Sequence, residues 1–142
     1  MNVQSLKLKI RRGEIDTVIV AVPDVFGRLV GKRVTGQFFL DCVAEHGTHG
    51  CNYLLTVDIE MEPMSGFKLA NWEKGFGDFA LRPDLSTLRV LPWLPATALV
   101  LCDFRQPNGK PVEEAPRRLA PARPRKREPE RVRAGWQPGS ER

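Results

Sequence analysis

The sequence predicts an α+β fold of the β-grasp kind: a mixed sheet of about five strands, one helix packed across it, and a disordered basic tail. Three observations lead there. Short β-branched or apolar runs alternate with Gly- and Pro-containing turns, a segment with helical apolar spacing follows the first pair of runs, and the last stretch changes composition abruptly. A chain of 142 residues buries one core of ordinary size, so one domain is expected, from about Ile15 to Phe104 in its sheet.

Taken in order, residues 1–14 form a lead segment in which Val3 to Ile10 alternates loosely, fitting a short amphipathic helix or strand. Ile15 to Val22 is β-branched and almost continuously apolar, the mark of a strand buried on both faces. Pro23 to Gly27 supplies a turn and Arg28 to Val34 a second strand, which makes a hairpin. Thr35 is placed to cap a helix from Gln37 to Glu45, with Phe38, Phe39, Cys42 and Val43 at i, i+3, i+4 spacing and His46-Gly47 ending it. Tyr53 to Ile59 reads as the next extended segment. A loop with Pro63, Gly66 and Trp72 leads to two short strands, Phe79 to Arg82 and Leu88 to Leu91, with Pro-Asp-Leu-Ser as the turn between them. Thr97 to Phe104 is a further buried strand. Val18, Val20, Phe38, Phe39, Leu99 and Leu101 are the expected core.

Composition narrows the function classes. The 42% hydrophobic content is globular, no apolar run reaches membrane-spanning length, and the start lacks a secretory apolar region, so a soluble cytoplasmic protein is expected. Three cysteines, Cys42, Cys51 and Cys102, have no CxxC pair and suggest reduced, mostly buried thiols. Nine of the 22 Lys and Arg, but only three of the 17 Asp and Glu, lie from Arg117 onward. The basicity therefore belongs to the tail, and the pI is no sign that the folded part binds nucleic acid. Cys42, His46, His49 and Cys51 are metal-ligand residue types, but their spacing fits no common zinc pattern, and Cys42 is better placed as core.

The stretch from Trp72 to Trp93 reads W-x-K-G-x-x-D-x-x-L-x-P-D-x-S-T-x-x-x-x-P-W. It resembles the N-terminal domain of the glutamine synthetase family, glutamylpolyamine-synthetase-like relatives included. Further matches are Pro23, Asp24, Gly27, Arg28, Gly31, Lys32 and Val34 in the hairpin, and Cys102, Asp103, Pro107, Gly109, Pro111, Pro116 and Arg117 near the end. The likeness runs from about Ile15 to Arg118, so the domain is expected over residues 15–118 and the tail over 119–142.

What the resemblance implies goes further than spacing. Family members catalyse ATP-dependent amide formation between glutamate and ammonia or an amine, with Mg or Mn, as homo-oligomers. They place the loop before the Trp at a neighbouring subunit's active site, where an Asp and a Ser help hold ammonium. On this chain the candidates are Asp58, Ser65 and Trp72, but a gapless alignment puts Lys68 in the acidic position, and a lysine would repel ammonium where a carboxylate would hold it. Asp58 takes the role only if the loop is re-spaced, so the amine differs from ammonia or the loop is assigned differently.

Beyond Arg118 the likeness lapses: prolines at 121, 124, 129 and 138 deny residues 119–142 a helix, and a Pro- and Arg-rich tract buries too little to order itself. Gly135-Trp136-Gln137-Pro138 and Gly139-Ser140-Glu141 again look like the family, with Glu141 at the first metal-binding glutamate of the catalytic barrel. The expectation is a truncated or frame-disrupted product: the β-grasp domain of a glutamine synthetase-like ligase without its barrel, inactive alone. The alternative is a stand-alone β-grasp interaction module whose basic tail touches an acidic partner or nucleic acid, and a steep salt dependence would mark it.

Overall fold

The computed structural model describes residues 1–119 apart from Asn71 and Lys74. The tail and Glu141 lie outside the described residues. Five strands, β1 (Thr17–Pro23), β2 (Leu29–Thr35), β3 (Thr48–Cys51), β4 (Asp78–Val90) and β5 (Thr97–Arg105), form one sheet in the order β2-β1-β5-β4-β3. β1 and β5 run parallel at its centre, and every other pairing is antiparallel. This is the mixed β-grasp-like sheet expected.

The lead segment is a helix, α1 (Val3–Arg11), started by the Asn2 side chain, which accepts the Ser5 N–H at 2.8 Å. Its one fully buried side chain, Leu6, joins the main core. The second helical segment begins where the Thr35 hydroxyl accepts the Phe38 N–H at 3.2 Å. It runs from α2 (Gly36–Phe38) through a π-helical turn (Phe39–Val43) into α3 (Ala44–His46), and Gly47, at φ +78°, ends it. Val18, Val20 and Val22 of β1 pack with Ala98, Val100, Cys102 and Phe104 of β5 against Leu6, Phe39 and Val43. Burying each large side chain there contributes about 1.5–3 kcal/mol. Ala21, Leu91 and Leu99 form a smaller cluster with Ile19, Leu94 and Leu101 packed against it.

Four expectations are corrected. Phe38 is 48% exposed and not core. Neighbouring helical residues point about 100° apart, so Phe38 and Phe39 cannot share a narrow stripe. The π turn, closed by the Ala44 N–H on the Phe39 carbonyl, turns Phe39 and Val43 inward instead. Leu101 is only half-buried, packed against the smaller cluster rather than the main core. Tyr53 to Ile59 is not a strand: Asn52–Leu55 is a 3-10 helix, and the extended residues are Thr48–Cys51 before it. The two short strands before Pro92 are one strand, β4, whose pairing with β5 shifts register between Asp84 and Arg89.

That irregularity is built from the residues read as a turn. The Asp84 carboxylate accepts the Ser86 N–H at 3.1 Å and the Ser86 hydroxyl at 2.5 Å. Thr87 Oγ1 donates to the Asp84 carbonyl at 2.7 Å and accepts the Leu101 N–H at 2.9 Å, supplying a partner that the distorted ladder lacks. Asp84 and Asp103 then both bind Arg117, through Nη2 and Nε, each at 2.7 Å. The P-D-x-S-T, C-D and P-R residues of the sequence motif meet at this single network, which fixes the chain as it enters α4 (Pro116–Leu119).

Candidate functional site

Residues 52–77 join β3 to β4 and are closed at their base by two reciprocal bonds. Asn52 N–H donates to the Gly77 carbonyl at 2.8 Å, and the Asn52 side-chain oxygen accepts the Gly77 N–H at 3.2 Å. These bonds hold the two ends of the loop together. Fully buried Leu55, Thr56, Val57 and Ala70 pin its inner side, which leaves the other side to solvent.

Two substructures stand on this loop. The first is a miniature hairpin. Val57 bridges Pro63, Asp58 N–H donates to the Glu62 carbonyl at 2.9 Å, and Met64 N–H to the Thr56 carbonyl at 2.8 Å. Asp58 Oδ1 accepts the N–H groups of Glu60 and Glu62, both at 2.9 Å, so that oxygen is turned into its own backbone. Ile59, at the tip, is 68% exposed, and Met61 holds φ +69°. The second is an aromatic arm. Trp72 meets Phe76 edge to face at 5.1 Å between centroids, and Phe76 meets Tyr53 at 6.2 Å. The indole is 72% exposed.

The three site residues expected from the sequence therefore fall on one loop but in different parts of it. Asp58 lies at the shoulder of the miniature hairpin, Ser65 is exposed just beyond it, and Trp72 caps the aromatic arm. Lys68 is exposed on the same loop. Cys42, His46, His49 and Cys51 lie on the helical segment and β3, and among the described residues no three His, Cys, Asp or Glu side chains gather as a metal site.

Sequence reasoning missed what anchors the loop. Asp24, in the β1–β2 turn, is buried, with Oδ1 accepting the N–H groups of Phe26 and Arg28 and Oδ2 accepting Arg28 Nε at 2.6 Å. Burial pushes the Asp24 pKa up, but the hydrogen bonds from the Arg28 side chain and from the backbone outweigh it and hold the carboxyl below its ordinary value. The free end of the same guanidinium binds the Ile59 and Asp58 carbonyls, the latter at 2.9 Å, and touches Met61 Sδ at 3.5 Å. The available signal was an Asp and an Arg four apart in a hairpin turn, where a surface hairpin needs neither.

Comparison with known proteins supplies the family. No family model matches the chain. The chain is 49% identical over 119 residues, 84% of its length, to the gamma-glutamylethanolamide synthetase GlnA4 of Streptomyces coelicolor. It is 39% identical over 118 residues, 82% of its length, to a glutamate–isopropylamine ligase of a Pseudomonas species, and 31% identical over 118 residues, 82% of its length, to the type-1 glutamine synthetase 2 of Dictyostelium discoideum. It spans 26%, 26% and 22% of those relatives, about a quarter of each. A solved GmaS structure in complex with ADP shares the fold, with a TM-score of 0.57 and 23% identity over 79% of this chain and 22% of that one. With the motif residues placed and these relatives aligned over 82–84% of its length, the chain belongs to the glutamine synthetase family, as its N-terminal β-grasp domain.

Proposed function

We propose that these residues are the non-catalytic N-terminal domain of a ligase that joins an amine to the side-chain carboxylate of glutamate at the expense of ATP. The 49% identity over 119 residues to a gamma-glutamylethanolamide synthetase carries the reading. In such a reaction the terminal phosphoryl of ATP passes to a carboxylate oxygen, the amine nitrogen attacks the acyl carbon, and phosphate leaves. Divalent Mg or Mn ions clamp the phosphates, which takes a cluster of carboxylates and imidazoles. Among the described residues no such cluster forms. The catalytic groups belong on the barrel of full-length relatives, and this domain contributes the loop of residues 52–77, with Trp72 outermost, to a neighbouring subunit's site. ATP and the metal ions belong to the assembled enzyme.

The amine is an alkyl- or hydroxyalkylamine rather than ammonia. Two relatives are named for ethanolamide and isopropylamine. The loop agrees with them in part: Asp58 commits Oδ1 to its own backbone, Lys68 is exposed at the position that a gapless alignment gives to the acid, and Ile59 and Trp72 present apolar surface, with the exposed Glu60 and Glu62 beside Ile59. Ammonium needs charged acceptors around it, whereas an alkyl group gains from apolar cover.

The test is phosphate release from ATP with glutamate, magnesium and either ammonia, ethanolamine or isopropylamine. The purified chain alone should give none. Exchanged into the Streptomyces relative in place of the matching residues, it should support turnover with ethanolamine over ammonia. Turnover by the chain alone, after removal of contaminating ligase, would overturn the domain assignment, and a preference for ammonia in the hybrid would overturn the amine.

A further inference from the structure

Arg28 lies in the β1–β2 turn, yet it holds a segment that is 30 and 31 residues away in sequence, through the carbonyls of Asp58 and Ile59. The bonds inside the miniature hairpin set its shape: the Val57–Pro63 bridge, the Asp58–Glu62 backbone bond and the Asp58 Oδ1 contacts are all local. None of them fixes where the hairpin stands relative to the sheet. Its base is fastened by buried Thr56 and Val57, whereas its tip is exposed and contains Met61 in the left-handed region, a conformation that costs a non-glycine residue roughly 1–2 kcal/mol and persists only where surroundings hold it.

The Asp24–Arg28 pair is suited to that task. Asp24 is buried and takes Nε, so the guanidinium plane is set before the loop is met. The Phe26 ring, 5.2 Å from the Arg28 guanidinium carbon, lies against it. The remaining nitrogens point as a rigid fork at two successive carbonyls, which a lysine cannot reproduce.

We propose that Arg28 is a positioning residue for the loop: braced by Asp24, it sets the stance of the Asp58–Glu62 tip, so that Ile59, Glu60 and Glu62 stand with Phe26 as one surface facing the neighbouring subunit's site. This rests on the reading of the loop given above. The Arg28 contribution is to orientation, and it touches no reacting atom.

The test uses the full chain, labelled with nitrogen-15 and carbon-13, and compares wild type with Arg28→Lys and Arg28→Met by amide hydrogen exchange. Lysine keeps a cation beside Asp24 but loses the fork, so it should restore stability toward wild type without restoring the loop. The amides of Asp58, Glu60 and Glu62 should exchange at least about tenfold faster in both variants, with Val20 and Val100 in the central strands unchanged in the lysine variant. Loop amides within about twofold of wild type in the lysine variant, or equal acceleration everywhere, would overturn the proposal, the latter making Arg28 a stability residue only. Should the methionine variant fail to fold, the wild type still decides. Couplings across the hydrogen bonds from the Arg28 guanidinium to the carbonyl carbons of Asp58 and Ile59 are expected, and their absence refutes the inference. No ligase enters these measurements, so their failure is distinct from failure of the phosphate-release experiment.

Discussion

Replacing Arg117 with methionine should destabilise the domain by about 2 kcal/mol at pH 7, and the loss should shrink on acidification. Methionine keeps most of the aliphatic stem and removes the charge, so packing is the lesser change. Arg117 holds two carboxylates at 2.7 Å; its own side chain is 24% exposed, Asp84 28% and Asp103 48%. Hydrogen bonds to charged groups contribute about 1.5–3 kcal/mol when sheltered, and exposed pairs about 0.2–1. The more sheltered Asp84 bond is then worth about 1.5 kcal/mol and the half-exposed Asp103 bond about 0.5. With a urea slope of about 2 kcal/mol per molar, the unfolding midpoint should fall by about 1 M. The pH dependence follows from Asp84. Burial pushes its pKa up, but the Ser86 and Arg117 hydrogen bonds outweigh that and leave it lowered from 3.8. A lowered folded-state pKa contributes stability above the unfolded value, and that stability is lost as pH falls through the folded value. Arg117 stays charged throughout, since its own pKa is raised: burial lowers it, and the hydrogen bonds that it donates to the two carboxylates outweigh burial. The difference between wild type and variant should therefore be full at pH 5 to 7 and shrink as the pH falls below 3.8 through the lowered Asp84 value. Urea titrations of both proteins across that range decide it. A midpoint shift under about 0.2 M at pH 7, or one that persists unchanged in acid, would refute the reasoning.

Gly31→Ala should cost more than about 3 kcal/mol, read as loss of cooperative unfolding, because an added Cβ would overlap the Val20 carbonyl oxygen and lie 2.9 Å from Ala21 Cα, both backbone atoms that cannot turn aside. Thr87→Val should cost about 1 kcal/mol in urea and speed exchange of the Leu101 amide, which loses its acceptor at the distorted part of β4. Burial, with help from the Asp103 carboxylate, pushes the Cys102 thiol up to about 12. Iodoacetamide at pH 8 should therefore modify half-buried Cys42 and Cys51 in the native state and Cys102 only after unfolding, as peptide mass analysis would show.

The parts of the fold that were legible in the sequence are those whose burial is two-sided or whose caps are local. β1 announced itself because Val18, Val20 and Val22 face the main core while Ala21 faces the smaller cluster, leaving few polar positions in the run. The Thr35 cap and the Gly47 stop are written in single residues. β3 was hidden because Thr48 to Cys51 has almost no apolar content and owes its strand geometry to β4 beside it. Pro83 to Ser86 reads as a turn since its local chemistry is turn chemistry; the pairing of Pro83 and Asp84 with β5, the Thr87 hydroxyl, and Arg117, more than 30 residues beyond Asp84, help keep that stretch in the sheet. The loop site shows the same division. Its Trp and Gly residues mark it as exposed, but the clamp from Arg28 depends on a fold that brings residues 28 and 58 together, which no window of sequence displays.

The parallel pairing at the middle of the sheet bears on how the chain is made. Thr17 lies opposite Thr97 and Ala21 opposite Leu101, so the central seam joins the first strand to the last among the described residues. A chain emerging from a ribosome can close the β1–β2 hairpin early, but β1 keeps one open edge until residue 105 has cleared the exit. Until then the Thr-Val-Ile-Val-Ala-Val run is an apolar strand waiting for its partner, the condition in which strands pair with the wrong chain. Nascent chains released at about residue 95 should consequently aggregate or recruit chaperones, and chains released at residue 119 should not.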